Sequence, residues 1–179
     1  MSQSRFLIPI FRALCLVAML TSLIAGAQID VDRVKISYVQ HFIGFVHWQN
    51  SDRGKEVVLC SFTDSRLGRQ MLEMLDSKSV AGSTISTRSL SLSNPLVAGC
   101  DVLFIPESLA DFTPSLLARV GKAPVLTISD MEGFVNRGGM IGFVVDGDKL
   151  RFDVGIRAAS GCGIGLSAKL LELARQVRR

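Results

Sequence analysis

CDVLFIPESLADFTPSLLARVGKAPVLTIS, residues 100–129, decides the architecture. Cys100 to Ile105 is an unbroken apolar run of strand length, and Pro106 ends it. Thr113-Pro114 reads as a helix cap followed by the first helical position, opening a helix to about Val120. Pro124 to Ser129 is a second buried-type strand. Strands alternating with helices in this way predict a largely parallel sheet with helices packed on it.

The flanking segments extend the pattern. Glu56 to Phe62 (EVVLCSF) is a short β-branched run, and Thr63-Asp64-Ser65 supplies residues that start helices. Leu67, Met71, Leu72 and Leu75 form a helical stripe after it. Thr84 to Leu90 alternates enough for a strand. Gly139 to Val145 and Lys149 to Val154 flank Asp146-Gly147-Asp148, a β-hairpin signal. Upstream, Val31 to His47 carries Val31, Val34, Tyr38, Val39, Phe42, Ile43 and Val46 on one helical face. Ser167 caps a last helix with the stripe Leu170, Leu171, Leu173, Ala174 and Val177. The expectation is an α/β three-layer sandwich, its sheet mostly parallel, with a β-hairpin in the C-terminal half.

Residues 1–27 read as a secretory signal peptide. Arg5 and Arg12 form the positive start, Ala13 to Ile24 is an apolar run, and Ala25-Gly26-Ala27 fits a signal peptidase. The run is shorter than the roughly 20 residues a membrane span needs. Residues 28–179 are then a single domain with no direct membrane insertion after cleavage. Cleavage removes two of the 20 basic residues and none of the 16 acidic ones, leaving 18 against 16, a charge of +2. So small an excess argues for no nucleic-acid partner.

Catalytic groups are sparse. The only histidines, His41 and His47, stand six apart and share no helix face, so they make no metal pair. Asp130 and Glu132 read as solvated loop charge. Gly161-Cys162-Gly163-Ile164-Gly165 reads as a flexible turn rather than a phosphate cradle. No cofactor and no metal are expected, and the chain is read as a non-enzyme.

Three cysteines remain after cleavage, Cys60, Cys100 and Cys162, and counting alone does not say which two pair. Cys60 lies in one strand and Cys100 opens another of the same sheet, which places them within disulfide reach if the strands are neighbours. The alternative is two separate buried thiols. A thiol-redox activity is disfavoured, since no Cys-x-x-Cys pair is present to lower a thiol pKa.

The order of several segments resembles the YfiR family of periplasmic proteins over nearly all of residues 28–179. The resemblance rests on Phe45-Val46-His47-Trp48, the Val57–Cys60 strand, the Gly99–Ile105 strand and Pro124–Ser129 before Gly138-Gly139-Met140-Ile141-Gly142-Phe143. It continues through Arg151-Phe152-Asp153-Val154 and Leu170-Leu171-Glu172-Leu173-Ala174. Three departures stand out: Gln49 where the family commonly has proline, Gly155 where it usually has asparagine, and no second cysteine pair within Asp130 to Phe143. The resemblance implies a Rossmann-like fold, a disulfide between Cys60 and Cys100, and a tendency to form a homodimer. It also implies a periplasmic regulator that binds the periplasmic region of an inner-membrane diguanylate cyclase. Such a regulator represses the cyclase and so lowers cyclic di-GMP and biofilm formation.

Candidate partner contacts are apolar residues that the core does not obviously consume: Phe45 and Trp48 after the first helix, Ile164 and Leu166 before the last. The rival expectation is a periplasmic small-molecule-binding protein, with its cleft at the carboxyl ends of the parallel strands.

Overall fold

A computed structural model describes residues 30–48 and 56–179. The expected signal segment 1–27 and Gln49 lie outside those residues. Helix α1 (Val31–Gly44) leads into strand β1 (Val46–Trp48), and β2 (Glu56–Phe62) is followed by α2 (Arg66–Leu75). Then come β3 (Ser79–Val80), β4 (Ser83–Leu90) and β5 (Val102–Ile105). A 3-10 turn (Glu107–Phe112) runs into α3 (Thr113–Val120), and β6 (Leu126–Ser129) follows. A second 3-10 turn (Phe134–Arg137) precedes the hairpin of β7 (Ile141–Asp146) and β8 (Lys149–Gly155). The chain closes with α4 (Ile156–Gly161), β9 (Ile164–Leu166), α5 (Ala168–Leu173) and β10 (Gln176–Arg178).

Local chemistry sets several boundaries. Ser65 Oγ accepts from the Gly68 amide and caps α2, and Ser167 Oγ does the same for α5 through the Leu170 amide. Thr113 does not cap α3: its hydroxyl donates back to Leu109 O at 3.1 Å, and the helix starts from Phe112 with Pro114 in its first turn. Gly147 turns the β7–β8 hairpin with φ +63°.

The main sheet has eight strands in the order β10-β8-β7-β6-β5-β2-β4-β3. Strands β4, β2, β5, β6 and β7 run parallel, as do β8 and β10, while β7 against β8 and β3 against β4 are antiparallel. A separate antiparallel pair joins β1 to β9.

This topology corrects the expected three-layer Rossmann-like sandwich. A Rossmann sheet runs 3-2-1-4-5-6 in two βαβαβ halves. The parallel strands here, numbered by their own order in the chain, run 2-1-3-4-5. Helical crossovers are also missing where that fold needs them. The β4-to-β5 connection, residues 91–101, contains no helix, and β6 reaches β7 through a 3-10 turn alone. The expected long last helix stops at Leu173, because Ala174 turns extended and the Arg175 amide donates to Phe152 O at 2.8 Å. The chain then pairs as β10 instead of continuing the stripe to Val177.

Both faces of the central strands are buried by strict alternation. Val57, Leu59, Val102 and Phe104 face a core shared with Ile36, Val39 and Phe42 of α1 and Met71 of α2. Cys60, Phe62, Leu103 and Ile105 face a second core closed by Leu116 and Val120 of α3. Helix α2 lies close on its strand: a Cβ on Gly68 would fall 2.1 Å from Phe62 O, so only glycine fits there.

Candidate binding cleft

Helix α1 places aromatic residues one turn apart, and their far wall comes from the other end of the chain. Val34, Tyr38, Phe42 and Phe45 line a cleft of about 350 Å³ together with Phe152 of β8 and Leu170 and Leu173 of α5. The Tyr38 ring centroid lies 5.7 Å from Phe42, and Phe42 meets Phe152 nearly edge-on at 4.8 Å. Phe143 backs the cluster, 6.1 Å from Tyr38. The cleft's polar side chains are Ser37, the Tyr38 hydroxyl and His41. His41 Nδ1 lies 2.7 Å from Ser37 O, and because a carbonyl only accepts, Nδ1 carries the proton. Leu173 stands at the rim, 54 % exposed.

Three of the four expected contact residues lie on the β1–β9 pair, with Trp48 opposite Ile164 and Val46 opposite Leu166, and Phe45 immediately precedes β1. Ile164 is 2 % exposed and belongs to the core. Phe45, Trp48 and Leu166 are half-buried against that same core. Of the four, Phe45 reaches the cleft. Tyr38, Phe152, Leu170 and Leu173, which make most of its walls, were not singled out from the sequence. A helical stripe of aromatics carries the same pattern whether it lines a cleft or fills a core.

A second, smaller cleft of about 300 Å³ lies at the carboxyl end of β6, between α1 and the hairpin, lined by Lys35, Glu107, Asp130, Glu132 and Leu150. Asp130 is not solvated loop charge. Its side chain is 9 % exposed, its Oδ2 lies 2.7 Å from Lys35 Nζ, and its Oδ1 accepts from the Glu107 amide at 2.7 Å. The pair ties α1 to the ends of β5 and β6.

Cys60 of β2 and Cys100, two residues before the neighbouring strand β5, form the disulfide, with Cα atoms 5.8 Å apart. Arg88 of β4 lies beside it. Its Nη2 is 2.9 Å from Cys100 Sγ and 3.4 Å from Cys60 Sγ, and donates to Ala98 O at 2.8 Å. Cys162 is the free thiol; burial pushes its pKa up, the reverse of activation. The glycine run around it ends α4 and enters β9, so it opens no helix. No group of three or more potential metal ligands occurs among the described residues.

Gly155 has a steric explanation. A Cβ there would fall 2.6 Å from Gly139 O and 3.1 Å from Val135 Cγ1. Gly155→Asn is therefore expected to destabilise the domain by about 1–3 kcal/mol through overpacking. A urea midpoint equal to the wild type would show that the backbone yields freely at this point.

A model of the YfiR/HmsC-like family matches residues 32–175. No curated protein matches the chain. Among solved structures, a conserved domain protein from Vibrio cholerae aligns with a TM-score of 0.57 at 11 % identity, over 83 % of this chain and 60 % of that one. The ABC domain in complex with L-tryptophan from Streptococcus pneumonia aligns with a TM-score of 0.52 at 15 % identity, over 68 % of this chain and 55 % of that one. The chain thus spans about 60 % and 55 % of those two, which share its fold. The family match, in contrast, runs from the first turn of α1 to the start of β10, and the chain belongs to the YfiR/HmsC-like family.

Proposed function

We propose that this protein is a periplasmic, non-enzymatic regulator that binds the periplasmic region of an inner-membrane diguanylate cyclase and holds that enzyme inactive. Family membership supports the regulatory class. The signal-like start and the disulfide agree with an exported protein. The observation that carries a binding role is the aromatic cleft. Its walls are apolar and its rim residue Leu173 is largely exposed, which suits an apolar anchor from a partner. Repression then requires tighter binding to the inactive arrangement of the cyclase than to the active one.

The test is cellular cyclic di-GMP. Deleting the gene should raise it, and the wild-type gene should restore it. A Leu173→Asp form that folds normally should fail to restore it. No rise on deletion, under conditions where the protein is made, would remove the repressor reading.

A second reading is a small-molecule-binding protein. The cleft volume of about 350 Å³ falls within the usual range for ligand sites. A domain of similar fold has been solved with L-tryptophan bound. Ligand screening by thermal shift separates the two readings, since a true ligand raises the midpoint by mass action.

A further inference from the structure

The smaller cleft, about 300 Å³, opens at the carboxyl ends of parallel strands, where α/β sheets bind ligands. Asp130 lines it with a side chain only 9 % exposed. An ionised carboxylate offers about four acceptor sites, and Lys35 Nζ and the Glu107 amide fill two of them. A buried anion left half-satisfied is costly unless a further donor reaches it. Glu107 and Glu132 border the same cleft, and neither carboxylate has a hydrogen bond or ion pair among the described residues. With Lys35 counted, the lining carries two net negative charges. The hairpin supplies an apolar wall. Val145 and Leu150 stand opposite one another across it and so share one face. Val145 is 71 % exposed, more than any other large apolar side chain described. The carboxylates do not converge as a metal ion requires: no group of three or more ligands that could hold one occurs among the described residues. Separated negative charges beside an apolar wall suit a cation whose charges are likewise separated by hydrocarbon.

We propose that this cleft binds an aliphatic diamine, one ammonium held by Glu107 and the other by Glu132, with its methylene chain against Val145 and Leu150. Each ammonium brings three donors and no acceptor, so the ligand also supplies donors for the open acceptor sites of Asp130. The charge of Lys35 is already spent on Asp130. A ligand carboxylate would therefore meet two unopposed acidic side chains, which excludes an amino acid and favours a dication. The cleft is separate from the aromatic one and needs no cyclase, so failure of the repressor reading leaves it standing.

The experiment is isothermal titration of the purified protein with the diamine cadaverine at fixed ionic strength. Saturable one-to-one binding is expected, with a Kd below about 1 mM. n-Pentylamine, which has the same chain and a single charge, should bind about tenfold more weakly, since one set of charge-assisted hydrogen bonds is lost. Glu107→Gln and Glu132→Gln should each weaken cadaverine about fivefold, the upper range for an exposed charge pair, and together about 25-fold. Glu73→Gln removes the same charge from the exposed face of α2 and should change binding less than about twofold. Equimolar Mg²⁺ should leave the diamine in place. Absence of saturable binding overturns the site. So does a double variant of Glu107→Gln and Glu132→Gln that binds as the parent does, or equal affinity for n-pentylamine. Displacement of cadaverine by Mg²⁺ would also overturn it, because the cleft would then be a metal site.

Discussion

Asp130→Ala is expected to destabilise the domain by about 3 kcal/mol. The carboxylate is nearly buried, and its removal leaves Lys35 as a charge without its counter-ion. Breaking one half of a buried ion pair usually costs roughly 3–5 kcal/mol. The lower end applies here, because Lys35 keeps 16 % exposure and a long stem that carries its ammonium toward water. The pair itself need not be a net gain. Lys35→Met combined with Asp130→Leu should cost clearly less than Asp130→Ala alone, since both desolvated charges vanish together. Urea denaturation of the two variants decides the matter. A loss below about 1 kcal/mol for Asp130→Ala would place the pair with ordinary surface bridges. The consequence reaches the cleft, because Lys35 sits on α1 one turn from Tyr38. An α1 released from Asp130 should bind any cleft ligand more weakly even while folded.

How much of this was legible in the sequence depends on how far apart the partners lie. Cys100 to Ile105 and Pro124 to Ser129 read as strands, and the strands form two residues later, over Val102–Ile105 and Leu126–Ser129, where every residue is buried. Strand neighbours leave no such trace. That β2 stands between β4 and β5 follows from crossovers passing over opposite faces of the sheet, and apolar periodicity is silent about direction. Leu170 to Val177 shows why a stripe misleads: the spacing is helical, yet Arg175 binds Asp153 through two nitrogens at 2.9 and 2.6 Å and draws the chain onto β8. Asp130 read as solvent-facing because its partner is 95 residues away. The Cys60–Cys100 pairing was legible because resemblance and strand placement agreed, whereas nothing in the sequence marks Arg88 as its neighbour.

Removing the disulfide by Cys60→Ala with Cys100→Ala should cost about 4 kcal/mol, the largest loss expected from any change considered. The bond closes a loop with a sequence separation of 40, and the chain-entropy model assigns about that figure to a loop of this size. Alanine rather than serine is the right replacement, since both sulfurs are buried and a hydroxyl there would need a partner. For a domain of roughly 150 residues the loss corresponds to a fall in Tm of roughly 10 °C. Cys162→Ala is the internal control: its thiol is free and half-buried, and the change should cost under about 1 kcal/mol. A double alanine variant as stable as the parent would mean that residues 60–100 remain associated in the denatured ensemble.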